Sequence, residues 1–138
     1  MIELLKFADL ASYKRLIDDC FGISNGLDYY ERYCQNRGYT IFVVKDGKEI
    51  IGSVTQYAIE LFTFNFQPCL MLFNVAVMSR YRRHNVARRL IEHVIEEARK
   101  QGYRSISLTC HNSAYEAHQL YEGMGFTRAD SVKYEMKL

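Results

Sequence analysis

Residues 75–100, VAVMSRYRRHNVARRLIEHVIEEARK, change character twice in one run. The opening VAV is apolar, as a buried strand requires. From Val86 onward the apolar residues Val86, Ala87, Leu90, Ile91, Val94, Ile95 and Ala98 recur at intervals that place them on one stripe of an amphipathic helix, which Gly102 ends. Between strand and helix stand Arg80, Arg82, Arg83, Arg88 and Arg89 with His84, a concentration of positive charge at a helix start. The first turn of a helix presents unpaired N–H groups and the positive end of the macrodipole, and arginine forks add charge-assisted bonds. A ligand carrying several phosphates suits such a segment. Taken alone, the same residues also read as a solvated basic face preceding a helix.

Upstream, CLMLFNVAV (69–77) is a nearly continuous apolar run, which predicts a central strand covered on both faces. Before it, YTIFVV, the turn pair Asp46-Gly47 and IIGSVTQYAIELF form an antiparallel hairpin rich in β-branched and aromatic residues. Residues 1–7 read as a short strand; Leu10, Tyr13, Leu16, Ile17 and Cys20 then keep helical spacing up to a stop at Gly22. A second short helix fits 28–37, with Asp28 and Glu31 at capping-box spacing. Downstream, SISLTC (105–110) alternates as a strand, Ser113 and Glu116 form a second capping box, a helix runs to about Gly123, and a final strand falls near 132–137. The order β-α-α-β-β-β-α-β-α-β predicts a mixed α/β fold (α+β) whose central mixed sheet is flanked by helices. An antiparallel N-terminal half joins a βαβ unit whose crossover makes its two strands parallel.

With 138 residues, 49% hydrophobic and 25% charged, the chain has the composition of a single ordinary domain, and no repeat or linker divides residues 1–138. No run approaches the roughly 20 apolar residues of a membrane span, and MIELLKFADL carries charges where a signal peptide would be apolar, so a cytoplasmic location is expected. Cys20, Cys34, Cys69 and Cys110 lack CxxC spacing, which argues against a zinc or redox motif and for buried free thiols; no metal is expected. A net charge of +2 does not by itself argue for a nucleic-acid partner.

The segment VAVMSRYRRHNVARRLIEHVIEEA resembles the acyl-CoA motif of the GNAT (GCN5-related N-acetyltransferase) family, V-x-P-x-Y-R-G-x-G-[IV]-[GA], at Val77, Tyr81, Arg82, Val86 and Ala87. It departs in having Ser79 for proline, and Arg83 and Asn85 where glycines are usual. Residues 112–126, NSAYEAHQLYEGMGF, resemble the family's downstream signature at Ala117, Leu120, Tyr121, Gly125 and Phe126, with Asn112 two residues early. The two motifs together cover about half the chain. The resemblance implies an acetyl-CoA-dependent N-acetyltransferase acting on a primary amine by direct attack. It assigns acetyl-CoA binding to Val75, Ala76, Val77, Arg82, Arg83, His84, Asn85, Val86, Ala87, Arg88, Asn112 and Tyr121. Among these, the amides from Arg83 to Arg88 would cradle the pyrophosphate, and Val75 and Val77 would bond the pantetheine as an added strand would.

By the same resemblance Tyr121 would be the general acid that protonates the departing thiolate. It also lies on an apolar stripe with Ala117, Leu120 and Met124, where packing alone would explain it. Where many relatives carry a glutamate as base, this chain has Phe73, which cannot accept a proton. His111 and Glu60 are then the candidate bases, beside direct use of water. A catalytically weak acyl-CoA-binding module and, more remotely, an RNA-binding domain using RYRRHNVARR stay open as alternatives; a homodimer is compatible with the many aromatics. Tyr29, Tyr30, Tyr33, Tyr57, Phe62, Phe64 and Phe66 either line a pocket or form core and dimer contacts.

Overall fold

The computed structural model describes residues 1–26 and 28–138. Its elements are β1 (Ile2–Leu4), α1 (Leu10–Phe21), α2 (Tyr30–Gln35), β2 (Tyr39–Asp46), β3 (Glu49–Ile59), β4 (Cys69–Val77), α3 (Val86–Lys100), β5 (Ser105–Leu108) and α4 (Tyr115–Gly123). The strands form one sheet in the order β1-β2-β3-β4-β5. Every neighbouring pair is antiparallel except β4 with β5, the parallel pair that the α3 crossover produces. The mixed sheet with flanking helices is therefore the architecture that the element order predicts.

Two apolar clusters hold the layers together. Val86, Leu90, Ile91, Val94 and Ala98 are the buried stripe of α3, and they pack with Val54, Leu70 and Leu72 of the central strands. On the other side, Leu16 of α1 packs with Ile41, Val43, Ile50 and Ala76. Alternation along β2 sends Val44 to the first cluster and Val43 to the second, so the strand is buried on both faces.

Several boundaries differ from the sequence reading. β1 gives way to a 3-10 turn at Phe7–Asp9, and β5 stops at Leu108. Helix α2 starts at Tyr30 behind a Tyr29 cap with no side-chain cap bond, so Asp28 and Glu31 form no capping box. The second capping box is also absent: Ala114 caps α4, and Ser113 Oγ lies 2.7 Å from His111 Nδ1 instead. The strand expected near 132–137 does not form. Its residues alternate as a strand should, but they have no ladder partner and are exposed throughout; a strand needs a neighbour to satisfy its backbone groups. The four cysteines are free, yet none is buried: Cys34 is exposed on the short α2, and the others are half-buried.

One glycine fixes how closely the helix layer meets the sheet. A Cβ at Gly52 on β3 would stand 2.5 Å from Val86 Cγ1 and 3.4 Å from Leu90 Cδ1. Gly52→Ala therefore pushes on the first turn of α3 and should destabilise the protein by about 1–3 kcal/mol, the usual cost of overpacking. A denaturant titration checks this as a lowered midpoint with unchanged slope.

Candidate functional site

The sheet opens where β4 carries an extra residue. Ser53 pairs with Ala76 and Thr55 with Phe73, so Asn74 and Val75 together face Val54 alone. This is a β-bulge, and Asn74 takes a left-handed backbone with φ 51° to make it. Parallel pairing with β5 runs from Cys69↔Ser105 to Leu72↔Leu108 and then stops. From Phe73 onward the two strands no longer share a ladder. The edge of β4 carrying Val75, the buried Ala76 and Val77 therefore borders a cleft.

At the end of β4 the chain passes through a 3-10 turn at Ser79–Tyr81 into the loop before α3. Arg83 and Asn85 have φ 67° and 60°. These are the two positions where the acyl-CoA motif has glycine, so the backbone takes the glycine path without glycine. For Arg83 that conformation costs about 1–2 kcal/mol; asparagine bears it more readily. Among the described residues, the amides of Arg83, Asn85, Val86, Ala87 and Arg88 have no backbone acceptor, whereas His84 N–H donates to Tyr81 O at 3.3 Å. Left-handed residues at alternate positions are the backbone pattern of an anion nest, in which successive N–H groups can face one concavity. Val86 is buried under the helix and Ala87 half-buried, while Arg82, Arg83, His84, Asn85 and Arg88 are exposed.

The arginines divide into two sets. Arg80 pairs with Glu49 and Arg88 with Glu92, and the Tyr81 hydroxyl donates to Asp46. Among the described residues Arg82, Arg83 and Arg89 make no ion pair. Free amides, a helix N-terminus and unpaired guanidinium groups together fit a phosphate-bearing ligand.

Tyr121 of α4 is 9% exposed and sits in the main core cluster with Ala117, Leu120 and Met124 against it. Its ring meets Phe126 edge-on at 5.9 Å. Burial, and secondarily the charge Cys110 would carry, raise its phenol pKa above the ordinary value, so the hydroxyl keeps its proton at neutral pH. His111 is exposed; its Nδ1 accepts from Ser113 N–H at 3.2 Å. Asn112 is exposed beside it, and Glu60 is exposed just past β3. His118 Nε2 donates to His111 O at 3.0 Å, and its Nδ1 lies 3.7 Å from Cys110 Sγ.

A second feature shares Asn74 with the bulge. A cavity of about 590 Å³ is lined by Tyr13, Tyr29, Tyr30, Tyr33, Tyr39 and Asn74, among others. Part of its wall is a run of tilted or edge-on rings, Tyr30–Tyr33 at 5.8 Å and Tyr33–Tyr39 at 6.0 Å, and Phe7, outside the lining, meets Tyr30 edge-on at 5.3 Å. Burial pushes the Tyr13 phenol up to about 12. Asn74 belongs to both features, bulging β4 and lining the cavity. Neither His111 nor Glu60 lines it; the carboxylate that does is Asp18, which is paired with Lys14. Of the aromatics singled out from the sequence, Tyr29, Tyr30 and Tyr33 line this cavity, whereas Phe62 is 82% exposed. Sequence reasoning missed Asn74, Tyr13 and Tyr39; the available signal was a lone asparagine inside an apolar strand.

The Acetyltransferase (GNAT) family model matches residues 10–126. Rat N-acetyltransferase 8B is 27% identical over 93% of this chain and 57% of its own length. The [ribosomal protein bS18]-alanine N-acetyltransferase of Escherichia coli K12 is 33% identical over 63% of this chain and 53% of its own. The chain thus spans about half the length of the curated relatives it matches. Among solved structures, a Trypanosoma brucei acetyltransferase superposes with a TM-score of 0.85 at 21% identity, covering 100% of this chain and 99% of that one. An aminoglycoside acetyltransferase from an uncultured soil metagenomic sample, in complex with trehalose, gives 0.87 at 18%, with 100% and 95% covered. The family match, spanning both the arginine loop and the Tyr121 segment, means that this chain belongs to the GNAT acetyltransferase family.

Proposed function

We propose that the protein transfers an acetyl group from acetyl-CoA to a primary amine by direct attack. The observation that carries this reading is the coincidence of the glycine-path loop with the open side of β4. The nest from Arg83 to Arg88 would hold the pyrophosphate, with Arg82 beside it and Asn112 and Tyr121 across the cleft. Val75 and Val77, flanking Ala76, would bond the pantetheine along the edge that β5 leaves. The acetyl-CoA supplies the activated thioester. Tyr121, a phenol that burial holds still further in its neutral form, would donate the proton that the departing thiolate takes.

The aromatic cavity is the natural seat for the acceptor, since it reaches the bulge through Asn74. Its wall offers apolar surface and phenol groups but no unpaired carboxylate or imidazole among the described residues. A site without a base suits an amine that is already partly neutral. An α-amine, with a pKa of about 8, meets that condition, whereas a lysine side chain near 10.4 does not. The alanine named for the E. coli relative is an acceptor of that protein; a peptide α-amine is the acceptor we assign to this one.

Free-thiol release with a panel of α-amine peptides, lysine side-chain peptides and aminoglycosides tests the assignment. Near pH 7.5 α-amine peptides should react about 10²-fold faster than lysine side chains, the ratio of their neutral fractions. The rising limb of the pH profile should follow the pKa of each amine and survive His111→Ala. A limb that does not follow the pKa of the amine and is lost in that variant would instead make His111 the base.

Asn85→Gly should preserve or tighten acetyl-CoA binding, measured by calorimetry, because the glycine takes the same left-handed path at lower cost. A large loss of affinity would show that the asparagine side chain makes a contact of its own. Tyr121→Phe keeps the ring and should keep both stability and acetyl-CoA affinity. Its single-turnover rate should fall by roughly 10²–10⁴-fold, the range for a lost general acid. An unchanged rate in a folded, acetyl-CoA-binding variant would leave the tyrosine as core.

A further inference from the structure

The cavity that shares Asn74 with the bulge is apolar from the core out to solvent. Leu5 and Ile41 on its lining are buried, whereas Phe21, Ile23 and Tyr29 on the same lining remain 44%, 40% and 55% exposed. Large apolar side chains left open on a concave wall mark a surface that binds something apolar. At about 590 Å³ the cavity has room for a small organic group, and a single methyl would leave most of it empty.

Charge on the wall is sparse and of one sign. Lys14 and Asp18 pair with each other, so Arg32 is the lining cation without a carboxylate among the described residues. Its guanidinium carbon stands 5.7 Å from the centre of the Tyr29 ring, the place over an aromatic face that a ligand cation would take. Burial holds the Tyr13 and Tyr33 phenols above their ordinary range, so neither offers a negative charge at neutral pH. A cationic side chain entering this cavity would meet a like charge and no counter-ion, and burying it unpaired is costly. A neutral apolar one meets neither obstacle.

We propose that the acceptor is a peptide whose first residue carries a large apolar side chain, aromatic or branched, which fills this cavity and sets the α-amine at the bulge. The assignment rests on the acetyl-transfer reading above and adds which α-amines are taken. Asn74 is the link, since it lines the cavity and belongs to the bulge where β4 and β5 part. In a first residue the nitrogen and the side chain leave the same carbon, so anchoring the side chain orients the amine. Burying a Phe or Leu side chain also contributes binding energy that Ala or Gly cannot supply.

Free-thiol release at saturating acetyl-CoA, with lysine-free tetrapeptides that differ only in beginning with Phe, Leu, Ala, Gly or Arg, tests this. kcat/KM should be about 10- to 10²-fold higher for the Phe and Leu peptides than for the Ala and Gly peptides, and Arg should fall with the small pair. Ile23→Trp sets an indole on the open part of the wall and should collapse the Phe-to-Ala ratio, chiefly through KM for the Phe peptide. Calorimetric binding of acetyl-CoA shows that the variant is folded. Should it not fold, Tyr29→Ala, at an exposed position, should lower the same ratio by removing wall. Equal rates across the panel, or a best rate with Ala, Gly or Arg, overturn the proposal and leave the acetyl-transfer reading standing. A ratio that the folded variant leaves unchanged overturns it as well, because the preference would then arise elsewhere. No reaction with any of the five peptides, from protein that binds acetyl-CoA, overturns it together with the α-amine assignment.

Discussion

The extra residue in β4 is the constraint on which the rest of this structure depends. Had β4 kept register with β3, its ladder with β5 could have continued and the middle of the sheet would be closed. With Asn74 and Val75 set against Val54, pairing with β5 ends at Leu72. A sheet interior is the least expected place for unpaired backbone, since each orphaned group there costs free energy comparable to a lost hydrogen bond. The bulge concentrates that cost at one position and leaves the surrounding strands regular. The same residue that bends β4 lines the aromatic cavity, so the opening of the sheet and the shape of the pocket are not independent.

The loop before α3 shows the same trade on a smaller scale. Its two left-handed residues are an arginine and an asparagine, and the strain is offset by what lies beneath. Val86 is wedged against Gly52, and Leu90, Ile91 and Val94 bury the helix that follows. A rigid base lets a strained segment persist, because relaxing it would disturb a packed core. The arginines are also divided: Arg80 ties the turn after β4 to Glu49 on β3, Arg88 pairs with Glu92 within α3, and Arg82, Arg83 and Arg89 make no ion pair among the described residues.

Much of this was legible in the sequence, and the limits have physical causes. The α3 stripe and the β2–β3 hairpin were readable because periodicity and turn chemistry are local, and the order of elements then left few topologies. The capping boxes failed because an N-cap depends on backbone angles: Ala114 takes the cap position of α4, and Ser113 is drawn to His111. The strand expected near 132–137 rests on an alternating pattern that is present, yet a strand is made by its neighbour, which no pattern within the segment specifies. The bulge at Asn74 is likewise a property of two strands together, visible in sequence only as one polar residue among apolar ones. The arginine loop was marked by charge, but its use of left-handed non-glycine residues could be seen only in the backbone.

The free guanidinium groups have a kinetic consequence distinct from the bonds the loop can make. Arg82 and Arg83 are exposed, so their field extends into solvent over about a Debye length, near 8 Å at physiological ionic strength. A polyanion approaching the loop is drawn in by that field before any amide bond forms, and added salt weakens the attraction. The backbone nest acts only at contact and is shielded far less. Ionic strength would therefore govern chiefly how fast a phosphate-bearing ligand arrives, and the backbone how long it stays.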